Sequence, residues 1–236
     1  MAKTFNIQIE ILFHTTFVPF FTFNSCQSSF QIPCNSAHYS SELVTYFMEV
    51  VLNYPSIDTG HIVKWNTDIH IAVHGEPSLT DLENLRQLTD QLNLLIAPIR
   101  ITLDETEPNM HVFFVSPQKF QESEPYFKDA QNPILNGITF VYPRPNYEIY
   151  KANILISSHT TNPQKRAHTL REEITQSLGL LTDSWKYENS IFYEGQSYTN
   201  RFSKLDEGLI QLLYASNTTV GMNTKDLLHH LCPSSN

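Results

Sequence analysis

Phe5, Ile7, Ile9 and Ile11 alternate with Asn6, Gln8 and Glu10, the period-two pattern of a strand with one apolar face. The period then lengthens. After Ser40 and Ser41, the apolar residues Leu43, Val44, Phe47, Met48 and Val51 recur at helical spacing until Asn53-Tyr54-Pro55 stops the run. Ile69, Ile71 and Val73 alternate with Asp68, His70 and His74, and Gly75-Glu76-Pro77 turns the chain. Thr80 with Glu83 three residues on predicts a capping box, followed by a buried stripe of Leu82, Leu85, Leu88, Leu92 and Leu95. Strands are expected over Ile99 to Leu103, Met110 to Val115, Ile138 to Tyr142 and Lys151 to Ile156, and the polar, Pro-containing connection before Ile138 reads as surface. After Asn162-Pro163 a helix is predicted from Ala167 to Leu180, with Ala167, Leu170, Ile174, Leu178 and Leu181 inward and Gly179 near its end. Ser203 followed by Asp206 announces a further helix, and a short one starts at Thr224. Strands interleaved with helices and closed by two helices predict an α/β or α+β layer.

Composition narrows the function classes. The chain of 236 residues is 41% hydrophobic and 17% charged, sufficient apolar material for a good core. Net charge is −9, and the stretch from Glu76 to Asp129 holds 10 acidic and 4 basic residues. The densest basic spot is Lys165-Arg166 with Arg171, which is too sparse for a phosphate-binding groove, so no nucleic-acid partner is expected. Three cysteines, Cys26, Cys34 and Cys232, allow at most one bridge and have no metal-knuckle spacing. His70 and His74 share a strand face and His159 and His168 flank one loop, but most such histidines are surface residues or satisfied by a partner. His229-His230 suits a helix end, where cations complement the dipole.

The first 26 residues support two readings. Lys3 precedes a stretch rich in Ile, Leu and Phe that closes on Phe23-Asn24-Ser25-Cys26, the order of a secretion signal ending at a lipidated cysteine. Glu10 inside that stretch opposes membrane insertion by about 3 kcal/mol, and the alternation from Phe5 to Ile11 fits a strand of the domain instead. The first reading attaches the protein to a membrane through a lipid on Cys26, in the cell envelope or outside the cell; the second leaves it where it is made, in the cytoplasm. Residues 27–236 are expected to form a single domain.

Candidate chemistry concentrates on the Ala167 helix. His168, Glu172 and Gln176 stand four residues apart and project from one face, with Glu173 one position round. Ligands one helical turn apart can converge on an ion about 2 Å from each donor, and the same spacing also serves a solvated helix face paired with Lys165 and Arg171.

The wider text resembles a known pattern. Glu172-Glu173-Ile174-Thr175-Gln176-Ser177-Leu178-Gly179-Leu180 is similar to the metzincin zinc-protease helix H-E-x-x-H-x-L-G-L, without its two histidines. The resemblance puts Glu173 on the general-base glutamate, Glu172 and Gln176 on the helical zinc ligands, Gly179 on the turning glycine, and Thr182 on the third histidine, with Asp183 following. Ser190-Ile191-Phe192-Tyr193 resembles the methionine-turn segment, with Phe192 at the methionine and Tyr193 at the tyrosine. Phe202 to Tyr214 is similar to the last metzincin helix, so three segments in order span about Lys151 to Tyr214. The Glu-Glu-x-x-Gln version with this tail also resembles a family of proteobacterial proteins, some described as lipoproteins, that is grouped with the zincin peptidases.

That resemblance implies a zincin-like α/β fold, a mixed sheet with a central motif helix and C-terminal helices, and a site at Glu172, Glu173, Gln176, Asp183 and His168 supported by Gly179, Phe192 and Tyr193. It implies two functions. All three histidines are replaced, and a Gln amide or Thr hydroxyl is a poor substitute for imidazole on zinc, which points to a protease-shaped module that binds peptide or protein without catalysis. The alternative is an active metal-dependent peptidase with Glu173 as base and a ligand set of Glu172, Asp183 and His168, whose oxygen donors suit calcium, magnesium or manganese better than zinc. Without a metal to activate water, a lone general base contributes about 10²–10⁴-fold, short of what peptide hydrolysis demands.

Overall fold

Most elements of the fold have a local cause that can be traced to their residues. The computed structural model describes residues 34, 39–52, 60–125, 127 and 136–232; the expected strand at Phe5 to Ile11 and the segment ending at Cys26 lie outside them. In chain order the elements are α1 (Ser41–Leu52), β1 (Lys64–Trp65), β2 (Ile69–Gly75), α2 (Leu79–Asn93), β3 (Ile101–Leu103), β4 (Met110–Val115), α3 (Phe120–Ser123), β5 (Gly137–Pro143), β6 (Glu148–Ser157), α4 (Pro163–Gln176), α5 (Lys204–Tyr214) and α6 (Thr224–Leu231).

The strands form one six-stranded mixed sheet in the order β1-β6-β4-β2-β3, with β5 on the other side of β6. All pairings are parallel except β5 with β6, which run antiparallel from Gly137 opposite Ile156 to Tyr142 opposite Lys151. The protein is thus mixed α/β, with helices packed on the sheet and two helices closing the chain.

Strand alternation assigns the faces. Ile69, Ile71, Met110, Val112, Phe114, Ile154 and Ile156 belong to the main core together with Leu85, Leu88 and Leu92 of α2 and Leu170 and Ile174 of α4. The opposite face carries a smaller core of Ile138, Phe140 and Leu155 closed by Phe120 and Phe127. The connection read as surface therefore contributes two buried phenylalanines. It also buries Glu124, which accepts from Asn153 Nδ2 at 2.7 Å and from the Tyr142 hydroxyl.

Helix ends follow the capping rules, with one correction. The box that starts α2 uses Ser78 and Asp81, not Thr80 and Glu83: Asp81 N donates to Ser78 Oγ at 3.1 Å and Ser78 N donates to Asp81 Oδ2 at 2.8 Å. Two boxes overlap by two residues in the sequence, and the first wins because Asp81 also takes the Arg166 guanidinium of α4, at 2.8 and 2.9 Å. Glu83 pairs instead with the exposed Arg86, and Leu82 is 38% exposed rather than part of the buried stripe. Ser203 and Asp206 do form the box of α5. A bridge between Cys34 and Cys232, 198 residues apart, ties the chain before α1 to the end of α6.

Candidate functional site

Helix α4 starts at Asn162, whose side chain accepts from the backbone of Gln164 and Lys165, and Pro163 occupies the first turn, where a missing N–H costs nothing. It ends at Gln176, four residues before the expected limit, because the chain turns through Ser177 and Leu178 into Gly179 at φ +112°. The freed carbonyls of that turn are taken by side chains from elsewhere: Trp65 Nε1 donates to Ser177 O at 2.9 Å and the Tyr214 hydroxyl to Leu178 O at 2.8 Å. Leu170, Ile174 and Leu178 are buried, as the periodicity predicts.

The polar side of α4 is buried as well. Glu173 is 5% and Gln176 is 2% exposed, while Glu172 is half-buried. Strand β5 lies directly against Glu173: the Thr139 hydroxyl donates to its carbonyl oxygen at 2.8 Å, and a Cβ on Gly137 would stand 2.9 Å from Glu173 Cγ. Glu173 Oε2 is buried with no hydrogen-bond partner among the described residues. Burial, above all, pushes the Glu173 carboxyl up to about 8; the charge of Asp183 adds to this and a hydrogen bond from Thr139 partly offsets it. Burial likewise raises Asp183 to about 7, helped by the charge of Glu194 and opposed by Gln176, whose Nε2 donates to Asp183 Oδ1 at 2.7 Å. Glu172 is raised well above the carboxylate range by burial and by Asp183, Glu173 and Glu194.

His168 completes the row. Its Nδ1 lies 2.7 Å from Thr199 O, a carbonyl that only accepts, so Nδ1 carries the proton and Nε2 faces Glu172 Oε2 at 3.5 Å with its lone pair. Burial lowers the His168 pKa, so a neutral imidazole faces a carboxyl whose pKa burial raises.

The second wall comes from the segment after α4. Ser184 N donates to Phe192 O at 2.8 Å and Glu194 N to Ser184 O at 3.1 Å, which seats Asp183 beside Glu194 and sets Tyr193 opposite Ser184. Phe192 is fully buried beneath, and Tyr193 meets Trp185 edge to face at 5.9 Å. Buried Asp206 holds this turn to α5: it accepts from Ser190 Oγ at 2.6 Å and Ile191 N at 3.2 Å, and the Tyr46 hydroxyl in turn donates to Ser190 Oγ at 2.8 Å.

The structure thus gathers Glu172, Glu173, Gln176, Asp183 and His168, with Gly179 at the turn and Phe192 and Tyr193 in the adjoining wall. Glu194, Thr139 and Trp185 are residues that sequence reasoning did not single out. The strand histidines His70 and His74 do not join them. His74 Nε2 lies 3.0 Å from His111 Nδ1 and His70 Nδ1 lies 3.1 Å from Thr102 Oγ1, both on the sheet. Among the described residues no three His, Cys, Asp or Glu side chains converge as a metal site.

A mixed-sheet α/β protein whose motif helix presents buried carboxyls to an antiparallel edge strand is the class these features define. Residues 40–231 match the family described as protein of unknown function (DUF2927), and the chain belongs to that family. No curated protein matches the chain.

Proposed function

We propose that this is a metzincin-like protease-fold module with degenerate metal ligands that binds a peptide or protein without hydrolysing it. The observation that carries the reading is the state of the three positions where the resemblance places zinc ligands. Glu172 is crowded by other carboxyls and faces His168, Gln176 spends its amide on Asp183, and Thr182 presents a buried hydroxyl oxygen while its N–H donates to Val50 O at 3.1 Å. Such a set does not fit zinc: it offers no imidazole at these positions, and an amide oxygen and a hydroxyl are poor substitutes for it. Strand β5 supports the binding part of the reading, because among the described residues it pairs only with β6 and so offers an antiparallel edge beside Glu173 for an extended ligand.

The test compares wild type with Glu173→Gln. If the module binds without catalysis, both proteins hold the same peptides with affinities within about threefold of each other, and neither cleaves them. Hydrolysis by wild type that Glu173→Gln abolishes would instead establish the active metal-dependent peptidase.

The basic residues support a partner other than nucleic acid. Arg166 is paired with Asp81, and Arg171 donates to Gln91 Oε1 at 2.7 Å and lies over the Phe202 ring. The Cys34–Cys232 bridge supports export, since such bridges persist in oxidising compartments, and it leaves Cys26 as the one cysteine of the three available for a lipid. Among the described residues no helix is long and apolar enough to cross a membrane, so attachment in the envelope would rest on that lipid. Mass spectrometry of the native N-terminus is expected to find a chain starting at Cys26 with a lipid on it; an intact Met1 end with unmodified Cys26 would overturn the envelope assignment.

A further inference from the structure

We propose that Arg171 is the anchor of a carboxylate-binding pocket between α2, α4 and the connection at residues 199–202. The pocket is separate from the peptide-binding reading above. Arg171 and Glu173 stand about 200° apart around α4, so Glu173 packs on β5 while Arg171 reaches Gln91 of α2.

The first observation is a buried charge without an opposite one. Arg171 is 8% exposed, and of its guanidinium donors only Nη1 is engaged among the described residues, by Gln91 Oε1 at 2.7 Å. The guanidinium carbon lies 4.7 Å from the centre of the Phe202 ring, which covers one face of the cation. Both neighbours are neutral. Acids near it in the sequence are engaged elsewhere: Glu172 faces His168, and Glu83 is held by Arg86 and by Gln87 Nε2. A buried ion ordinarily has a partner of opposite charge, because its desolvation is costly. The other arginine of α4 shows the usual solution: Arg166 grips both oxygens of Asp81, at 2.8 and 2.9 Å.

The second observation is the space beside Arg171. It lines a pocket of about 30 Å³, room for about two waters or one carboxylate group. Asn84, Gln87 and Asn200 line the pocket too, with Leu88, Ala167 and Leu170 as its apolar part. His168 Nδ1 donates to Thr199 O at 2.7 Å, which pins the connection carrying Asn200 and Phe202 to α4. Among the described residues no acid and no second base lines the pocket, so it holds one formal positive charge among amides. A guanidinium gives a planar carboxylate two parallel N–H bonds, and amide N–H groups can add to them. The apolar part suits a short carbon chain behind the carboxylate. A phosphate dianion would lack a second cation, and an ammonium would be repelled by Arg171.

Titrations of the isotope-labelled full chain, followed by NMR at pH 7 and constant ionic strength, test this with propionate, propionamide, inorganic phosphate and N-acetyl-alanyl-alanine bearing a free C-terminus. The better of the two carboxylates is expected to bind about tenfold or more tighter than propionamide or phosphate, the margin of a hydrogen bond to a charged group. Tighter binding of propionate identifies the ligand as a small organic acid and tighter binding of the peptide identifies it as a chain terminus; either result supports the carboxylate pocket. Arg171→Gln is expected to lower the carboxylate affinity to that of propionamide. Asn200→Asp, an exposed change that keeps Arg171 and adds a competing carboxylate to the lining, is expected to weaken carboxylate binding about fivefold or more while the spectrum stays that of the folded protein. Phosphate or propionamide binding as tightly as the carboxylates, a carboxylate affinity that Asn200→Asp leaves unchanged, or no binding of either carboxylate would overturn the proposal.

Discussion

Gly179→Ala is expected to destabilise the protein by about 4 kcal/mol or more, a large share of the stability of a typical domain. Two penalties act on the same atom. At φ +112° an L side chain is strained, at an order of about 1–3 kcal/mol, and here the new Cβ would stand 2.1 Å from Val63 O. The obstacle is backbone, held in line with β1, so it does not rotate away as the tip of a flexible side chain would. Relief would require moving the turn, and with it the Trp65 and Tyr214 hydrogen bonds that close the end of α4. Chemical denaturation of wild type and variant checks this directly. A loss below about 1 kcal/mol would mean that the α4 turn is much softer than its contacts imply.

The second large effect is on pH dependence. Glu173 and Asp183 carry folded-state values of about 8 and 7, above their ordinary 4.5 and 3.8. The native chain therefore holds protons that the unfolded chain has already released at neutral pH, and the stability these groups contribute is fully present below about pH 4 and is lost as pH rises through 7 and 8. His168 acts in the other direction at acid pH, because its lowered value favours the neutral ring of the native state. Burial also lowers the Lys64 ammonium to about 8, a penalty on the native state that is relieved as pH rises through 8, so it opposes the carboxyl loss between pH 7 and 9. The carboxyl effect is therefore read as a difference between two proteins that share Lys64. Glu173→Gln, which removes one of the buried acids without removing its volume, is expected to gain about 1–2 kcal/mol on wild type between pH 7 and pH 9. Urea unfolding of both proteins at a series of pH values measures this. A difference between them that stays constant from pH 7 to 9 would contradict the buried, uncompensated Glu173 carboxyl.

Helix α4 was legible because its information is local: Asn162-Pro163 starts it, Leu170, Ile174 and Leu178 mark its inner side, and four-residue spacing aligns His168, Glu172 and Gln176. The box of Ser203 and Asp206 was legible for the same reason. Near α2, Ser78-x-x-Asp81 and Thr80-x-x-Glu83 both satisfy the local rule, and the choice is made by Arg166, 85 residues away. Strand β1 is only Lys64–Trp65, too short for a period to show, although Trp65 is a fully buried side chain. The buried pair Phe120 and Phe127 was hidden in a polar connection whose composition outweighs two aromatics. In the site, Glu172, Glu173 and Gln176 could be read from one helix, and Asp183 from its place after Thr182. Thr139 and Glu194 could not, since β5 and the 183–194 turn meet α4 only in three dimensions. Strand alternation from Ile138 does put Thr139 on the side opposite Ile138 and Phe140, a signal that a paired reading of β5 and α4 could have used.

The central claim is that the three positions resembling protease zinc ligands hold no zinc because they supply no imidazole, only a carboxyl, a committed amide and a hydroxyl. Elemental analysis of the protein purified without an affinity tag, incubated with excess zinc and then freed of unbound metal, tests it most directly. The account predicts zinc well below one equivalent per chain, unchanged by Glu172→Ala. One equivalent of zinc that Glu172→Ala removes would contradict it.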